Sequence, residues 1–289
     1  MKLSDHWRTP EPIFTRDAIL ARLRKTIADR KPIVAAGSSC GLVAKSAEAG
    51  GADLIVVYST GLSRLLGLPT TIFGDTNNAT LGMAEQILNV VIDTPVVCGV
   101  EAADPRWMRL GKLVDRVKDA GYSGVINFPT VTLFEAGSLQ RREKDGTGFG
   151  FNRELDLMGL ARERDLFTMC YVFTTDEAAQ MARAGVDCVV AHVGGTSGGM
   201  DGFHNVASMD VALTKTDEMI AAAREVNPDV IVLGHGGPFD TPDNVGVLYE
   251  KSMAQGFVGA SSVERIPIET AVSEAVRGFK SATMPTSRA

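Results

Sequence analysis

The chain has 289 residues, of which 45% are hydrophobic and 22% are charged, and its net charge is −6. This length suits one barrel-sized domain, so we predict a single domain over residues 1–289. An acidic chain without a basic cluster offers no footprint for a phosphate backbone, and we expect no nucleic-acid partner. Its apolar runs are far shorter than the ~20 residues that cross a bilayer. The start, Met1–Asp5, has no secretory apolar segment. We therefore expect a cytoplasmic protein without a membrane partner.

Eight short apolar runs alternate with helix-like stretches along the chain. They begin near Ile33, Leu54, Val96, Gly124, Phe167, Cys188, Val230 and Phe257. Alternating strand and helix signals predict parallel βα units. Eight such units predict an α/β fold of the (β/α)8 type, a TIM barrel. A shift of about 134 residues also lays Gly51–Asp53 on Gly185–Asp187, which predicts two similar half-barrels.

Capping residues indicate where the helices begin. Thr15 is a candidate N-cap for a helix over residues 16–30, and we expect this N-terminal extension, residues 1–30, to close the barrel floor. Asn77 or Asn78 is the candidate cap of a helix through Met83, Ile87 and Val91. Asp104-Pro105 would begin a helix over residues 107–120, and Thr174 and Thr241-Pro242 would begin two later ones.

Two polar, glycine-rich segments extend the loops after strands four and six. Residues 136–150 form either a mobile lid or a solvated loop over the predicted active-site face. Residues 194–202 contain enough glycine for the backbone to approach a ligand closely. Residues 281–289 are predicted to be a short polar tail.

Polar residues follow nearly every strand, at the end where barrels of this type build active sites. The candidates for contacts with a small polar substrate are Ser38, Ser39, Ser59, Asn127 and Tyr171, from strands one, two, four and five. Gly236-Gly237 and Ser261-Ser262 follow strands seven and eight, where barrels commonly hold phosphate. The ligand could be a phosphate or a carboxylate, and the glycines could instead serve only a tight turn.

Two histidines and two glutamates are the candidate catalytic residues. His192 and His235 end neighbouring strands, and histidine exchanges protons near neutral pH. Glu101 follows strand three and Glu264 follows strand eight. Either glutamate could be a general base, a metal ligand, the orienting partner of a histidine, or a plain salt-bridge partner.

Several segments resemble known families. Gly61–Pro69, together with Gly51–Asp53, is similar to the early part of the phosphoenolpyruvate mutase/isocitrate lyase superfamily, which includes phosphonopyruvate hydrolase. Val34–Gly37, Gly99–Pro105, Asn127–Thr130 and Gly234–Pro238 resemble the phosphoenolpyruvate hydrolase-like TIM-barrel family, also described as TIM-barrel signal-transduction proteins, across nearly the whole chain. The resemblance implies a barrel and an enzyme that cleaves a C–P or C–C bond in a small 2-oxoacid.

The resemblance to the superfamily also implies Mg²⁺ or another divalent cation, held by carboxylates after strand three. The acids in that segment are Glu101 and Asp104, which are therefore the candidate ligands. No organic cofactor is expected. Two alternatives remain open: a metal-free aldolase- or isomerase-type barrel, and a non-catalytic barrel that senses a metabolite or binds a protein. The expected ligand is a small anion, and apolar residues on outer helices favour a homo-oligomer.

Overall fold

The computed structural model describes residues 14–284, and it confirms the predicted barrel. Eight parallel strands close into a ring in the order β1 to β8, with β8 paired to β1. The strands are β1 Ile33–Gly37, β2 Leu54–Val57, β3 Val96–Gly99, β4 Gly124–Ile126, β5 Phe167–Val172, β6 Cys188–His192, β7 Ile231–His235 and β8 Gly256–Gly259. Six begin at the predicted residue, while β7 begins one residue later and β8 one residue earlier. Of the described residues, no helix is long and apolar enough to span a membrane.

The predicted internal repeat has a structural counterpart in two aspartates. Asp53 accepts a hydrogen bond from the Val34 N–H at 2.9 Å, and Asp187 accepts one from the Thr168 N–H at 3.0 Å. Each aspartate thus ties the start of one strand to the start of its neighbour, β1 to β2 and β5 to β6. The two bonds occupy corresponding places in the two halves, so the repeated Gly-x-Asp sequence makes the same strand-to-strand contact in each half.

Twelve helices surround the strands within residues 14–284. They are α1 Arg16–Ala28, α2 Gly41–Ala49, α3 Thr60–Leu65, α4 Thr76–Gly82, α5 Ala84–Leu88, α6 Leu110–Asp119, α7 Leu139–Gly146, α8 Phe151–Arg162, α9 Thr175–Arg183, α10 Met209–Val226, α11 Pro242–Lys251 and α12 Arg265–Lys280. The predicted caps Thr15, Thr174 and Thr241 each accept a bond from a backbone N–H in the first turn. Helix α1 packs Ile19, Leu20 and Leu23 against the inward-facing residues of the strands, so it closes the barrel floor as expected.

Three local predictions were wrong. The helix expected to begin at Asn77 or Asn78 is capped by Asp75, because the Asn77 side chain bonds the backbone of Glu101 instead. That helix also breaks at Met83 into α4 and α5, and Val91 lies beyond both.

The helix expected over residues 107–120 is preceded by a separate 3₁₀ turn, Pro105–Trp107, and α6 begins only at Leu110. The segment 136–150 is not a plain loop, since it contains α7, capped by Ser138 and tied to α9 by an ion pair between Arg141 and Glu177. The loop after β6 does stay irregular up to Ser208. Of the predicted tail, residues 285–289 lie outside the described residues, as do residues 1–13 of the N-terminal extension.

The last helix, α12, does not cover the barrel as the other outer helices do. Its only fully buried residue is Arg265, and Ile268, Val272, Val276 and Phe279 form an exposed apolar stripe along it. Val34 in β1 is the one strand residue that is not fully buried, and it pairs with Phe257 of β8. The outer face of β1 beside β8, which a helix after β8 would be expected to cover, is therefore partly exposed at Val34.

Candidate active site

One cavity opens at the C-terminal end of the barrel. Its volume is about 450 Å³. Six of its lining residues continue the inward-facing rows of the strands: Tyr58, Phe128, Tyr171, His192, His235 and Ala260. Strands β1 and β3 end in Gly37 and Gly99 at this level. A Cβ on Gly99 would lie 2.5 Å from Cβ of Tyr58, so the glycine leaves room for the tyrosine.

The two predicted histidines meet at this cavity. His192 and His235 are register partners on the adjacent strands β6 and β7, and their ring centroids lie 4.5 Å apart. Both side chains are buried and both line the cavity. The sequence-based expectation that these histidines converge on one rim is therefore confirmed.

Backbone hydrogen bonds fix a different tautomer for each histidine. The Gly194 N–H donates to Nδ1 of His192 at 3.1 Å, so this Nδ1 has no proton and the proton of the neutral ring sits on Nε2. Nδ1 of His235 lies 2.6 Å from the carbonyl oxygen of Val258, which can only accept, so this Nδ1 carries the proton and Nε2 has a lone pair. Because neither Nε2 has a hydrogen-bond partner within residues 14–284, His192 offers a donor and His235 an acceptor.

Burial keeps both rings neutral. It lowers the pKa of His192 well below its ordinary value, and the neighbouring His235 lowers it further. Burial also lowers the pKa of His235 to about 4, although the bond to Val258 acts in the opposite direction. A neutral imidazole has a lone pair that can accept a proton, so Nε2 of His235 is free to act as a base, and the low pKa means that the ring readily passes the proton on.

Two buried phenols stand beside the histidines. The Tyr171 ring lies 5.0 Å from the His192 ring and 4.8 Å from the His235 ring, measured between centroids. Burial raises the pKa of Tyr171 well above its ordinary value and also raises the pKa of Tyr58, so both hydroxyls keep their protons. The two hydroxyls interact with each other, and beyond this contact neither oxygen has a hydrogen-bond partner in the described part of the chain. The pair therefore keeps a phenol proton that can be donated to an oxyanion.

A buried ion pair forms one wall of the cavity. Nε of Arg64, on α3, donates to Oε2 of Glu264 at 2.9 Å, and the two side chains are 1% and 0% exposed. The other carboxylate oxygen of Glu264 accepts the Ser39 N–H at 2.7 Å. Arg64 lines the cavity and Glu264 does not, so the glutamate holds the arginine in place. Part of the guanidinium remains for a ligand, and guanidinium is well suited to bind a carboxylate or phosphate.

Buried polar atoms without a partner are concentrated around this pair. Within residues 14–284 six such side-chain atoms follow β1, β2, β5 and β8 at this end of the barrel, and they belong to Ser38, Tyr58, Ser59, Thr60, Tyr171 and Ser262. Nη2 of Arg64 lies 2.8 Å from Oε2 of Glu264, so the arginine is not one of them. A buried donor without a partner is unfavourable unless water or a ligand satisfies it. Their concentration at one end of the barrel therefore marks a site for a polar ligand.

The carboxylates predicted to hold a metal lie away from the cavity and already have partners. Thr76 donates to Glu101, while Asp104 caps the 3₁₀ turn and receives bonds from Arg106 and Asn77. Burial alone would raise the pKa of Asp104, but these bonds hold it below its ordinary value. Within residues 14–284 no three His, Cys, Asp or Glu side chains are grouped so that they could share a metal ion. As folded, this donor set does not fit Mg²⁺.

The two glycines after β7 shape the neighbouring loop instead of lining the cavity. Both have a positive φ, +83° and +56°, and a Cβ on Gly236 would lie 2.0 Å from the Gly194 carbonyl oxygen. The Gly237 N–H already donates to that carbonyl oxygen at 3.0 Å. This supports the alternative of a tight turn, since that N–H is not left for an anion.

Asn127 also faces away from the cavity, into a buried network with Glu154 of α8. Its amide nitrogen donates to Glu154 and to the Tyr171 carbonyl, and its amide oxygen accepts the Tyr171 N–H at 2.7 Å. Burial raises the pKa of Glu154 to about 7 despite bonds from Val131, Asn127 and Thr130. Asn127 therefore holds the backbone that carries Tyr171.

The structure thus brings part of the predicted site together. His192, His235, Tyr171 and Ser261 line the cavity, and Glu264 acts on it through Arg64. Ser38, Ser39, Ser59 and Ser262 lie around this wall without lining the cavity, while Glu101, Asp104, Asn127, Gly236 and Gly237 are elsewhere at the same barrel end. Sequence reasoning missed Tyr58 and Arg64. Two signals could have identified Tyr58. It continues the alternating inward-facing residues Leu54 and Val56 of β2. The internal repeat of about 134 residues also places Tyr58 in the position of His192.

Comparison with known proteins agrees with this fold. A family model described as phosphoenolpyruvate hydrolase-like matches residues 18–282. The chain belongs to this family. It is 40% identical over 283 residues to the ToMV susceptible protein tm-1(GCR26) of Solanum lycopersicum, a match that covers 95% of this chain and 37% of that protein. The chain therefore spans well under half the length of this relative.

Two solved structures share the barrel. A phosphoenolpyruvate phosphomutase from Streptomyces platensis subsp. rosaceus is 20% identical, with a TM-score of 0.60 over 90% of this chain and 87% of that chain. A phosphonopyruvate hydrolase in complex with oxalate and Mg²⁺ is 18% identical, with a TM-score of 0.59 over 91% of this chain and 87% of that chain. The predicted TIM barrel and the predicted family are both confirmed, and at this identity the solved structures establish the fold alone.

Proposed function

We propose that the protein is an enzyme that cleaves a C–C or C–P bond in a 2-oxoacid and passes through an enolate. The observation that carries this proposal is the pair of oppositely protonated histidines beside Arg64 in one cavity. Arg64 binds the substrate carboxylate. The Nε2 lone pair of His235 takes a proton from the attacking water or the substrate hydroxyl. The Nε2–H of His192 and a hydroxyl from the pair Tyr58 and Tyr171 then donate to the oxyanion.

The electron pair of the broken bond stays with the carboxylate-bearing fragment. It is delocalised onto the former carbonyl oxygen, which becomes the enolate oxygen held by these donors. A proton then returns to the carbon that lost its substituent. Membership of the phosphoenolpyruvate hydrolase-like family and the fold shared with phosphonopyruvate hydrolase support this reaction class.

No step of this proposal passes through a metal ion. The solved phosphonopyruvate hydrolase contains Mg²⁺ and oxalate, which keeps a divalent cation as a hypothesis to test here. Glu101 and Asp104 do not offer Mg²⁺ a ligand set as folded. Assays in EDTA and in added Mg²⁺ should give the same rate, and a rate that requires Mg²⁺ would contradict this assignment of the two carboxylates.

The proposal is tested by incubating the protein with phosphonopyruvate, oxaloacetate and the 3-alkyl and 3-aryl derivatives of both, and by measuring the products by NMR. His235→Asn retains a donor for the Val258 carbonyl and His192→Asn retains an acceptor for the Gly194 N–H, so both variants preserve local bonding. We expect each to lower kcat by about 10²- to 10⁴-fold. His204→Asn, an exposed residue that does not line the cavity, is the control. Ligands that raise Tm without any turnover would contradict the enzyme proposal and favour a metabolite-binding barrel.

A further inference from the structure

We infer that the acid bound in this cavity carries an apolar substituent, aryl or branched alkyl, and is larger than a three-carbon 2-oxoacid. This inference rests on the proposed function for the carboxylate anchor, and it adds the chemical class of the rest of the substrate. It is carried by the apolar side chains in the cavity lining, by an exposed apolar rim, and by the volume that pyruvate would leave unfilled.

The cavity is lined by both polar and apolar side chains. Arg64, Thr60, Thr70, Thr71 and Ser261 contribute charged or hydroxyl groups. Phe128, Phe173, Phe203, Ile72 and Leu133 contribute apolar side chains to the same space. An acid without an apolar part would satisfy the first group and leave water against the second, which is unfavourable.

The apolar residues at the mouth come from three separate loops. Ile72 follows α3, Leu133 follows β4, and Phe203 lies in the loop after β6, and these side chains are 42%, 43% and 49% exposed. Scattered surface apolar residues need no explanation, but three that converge on one cavity mark a binding surface. A ligand whose apolar part reaches this rim would cover all three.

The position of Phe203 depends on a glycine. A Cβ on Gly195 would lie 2.4 Å from the Phe203 ring, so the ring rests directly on the Gly195 backbone. The Phe203 N–H donates to the Thr196 carbonyl, and Arg265 donates to the Gly198 carbonyl at 2.9 Å. The loop is therefore held at Phe203 and at Gly198, which fixes this part of the apolar rim before a ligand arrives.

The volume leads to the same conclusion. A water molecule takes up about 30 Å³, so the cavity of about 450 Å³ has room for roughly fifteen water-sized groups. Pyruvate, with about six non-hydrogen atoms, would fill less than half of the space, and phosphonopyruvate, with about ten, would fill about two thirds of it. An aryl or branched alkyl group on the same acid would fill most of the remainder.

The test is calorimetric binding of pyruvate, 3-methyl-2-oxobutyrate, 4-methyl-2-oxopentanoate and phenylpyruvate, with oxalate as a probe of the carboxylate anchor alone. We expect Kd to fall along the series, with phenylpyruvate binding about 10- to 100-fold more tightly than pyruvate. Phe203→Ala and Leu133→Ala should each narrow the ratio of the pyruvate Kd to the phenylpyruvate Kd. Leu42→Ala, an exposed leucine on α2 that does not line the cavity, should leave the ratio unchanged.

The outcomes separate this inference from the function on which it rests. If oxalate and pyruvate bind and lose affinity in the double variant Arg64→Met with Glu264→Gln, which leaves no unpaired buried charge, but the apolar acids bind no more tightly than pyruvate, the apolar substituent is refuted and the carboxylate anchor stands. An unchanged ratio in both Phe203→Ala and Leu133→Ala would also refute it. If none of the acids binds, the proposed function fails and this inference fails with it.

Discussion

Replacing Arg64 by methionine tests the wall of the site that the structure describes in most detail. The arginine is 1% exposed and its partner Glu264 is 0% exposed, so the substitution leaves a buried carboxylate in the apolar interior. Glu264 would retain one donor, the Ser39 N–H at 2.7 Å. Removing one partner of a buried ion pair typically costs about 3–5 kcal/mol, and domains are stable by only about 5–15 kcal/mol. Arg64→Met should therefore lose a large part of the free energy of unfolding.

The assay is urea unfolding followed by far-UV circular dichroism. The double variant Arg64→Met with Glu264→Gln removes both charges, and we expect it to recover most of the loss because no unpaired buried charge remains. Lys25→Met breaks an exposed pair with Asp29 and should leave the unfolding midpoint unchanged. If Arg64→Met unfolds at the same urea concentration as the wild type, Arg64 and Glu264 are not a buried pair and the reasoning is wrong.

Three further predictions concern pH, assembly and packing. The pKa of His235 falls from its ordinary 6.5 to about 4, so the folded state binds fewer protons than the unfolded state between these values. The free energy of unfolding of the wild type minus that of His235→Asn should therefore fall by about 3 kcal/mol between pH 7 and pH 4. The opposite contribution of Glu154 is present in both proteins and cancels in this difference. A difference that does not change with pH would contradict the lowered pKa of His235. We expect a homo-oligomer in which the exposed apolar stripe of α12 in one copy covers the partly exposed β1 of another. Phe279→Glu should yield a smaller species by light scattering, and Met108→Glu, at another exposed apolar residue, should not. A wild-type protein that is a monomer would contradict this expectation. A Cβ on Gly61 would lie 1.3 Å from Oγ of Ser39, so Gly61→Ala should lower the free energy of unfolding by about 1–3 kcal/mol. Gly82 has open space where a Cβ would lie, so Gly82→Ala should lower it little. Equal losses in the two variants would contradict the close contact between Gly61 and Ser39.

The fold could be read from the sequence because each strand is a short buried run with its own boundary signals. The eight predicted starts agree with the structure to within one residue, since parallel strands buried on both faces contain almost only apolar residues. The half-barrel repeat could also be predicted, because Asp53 and Asp187 each bond the backbone of the neighbouring strand and therefore stand at matching positions in the two halves. The helix caps were harder to predict from the sequence. Asn77 has the right chemistry for a helix cap, but a long-range bond to the Glu101 backbone takes its side chain.

The candidate site was predicted where residues stand on the strands themselves. His192, His235 and Tyr171 follow from position, because the ends of parallel strands share one face. Arg64 does not, because it reaches the cavity from α3 and is fixed by a glutamate 200 residues later in the chain. The tautomers of the histidines also could not be predicted from the sequence, since each depends on one backbone group, the Gly194 N–H or the Val258 carbonyl, whose position is determined only by the folded chain.

The proposed roles of His192 and His235 depend most on the opposite protonation of their rings. Two-bond ¹H–¹⁵N correlation spectra of histidine-labelled protein at pH 7, with His192→Asn and His235→Asn used for assignment, report which ring nitrogen carries the proton. We predict a proton on Nε2 of His192 and on Nδ1 of His235, with both rings neutral. The same tautomer at both residues, or a positively charged ring at either, would contradict the assignment of His235 as the base and His192 as the donor.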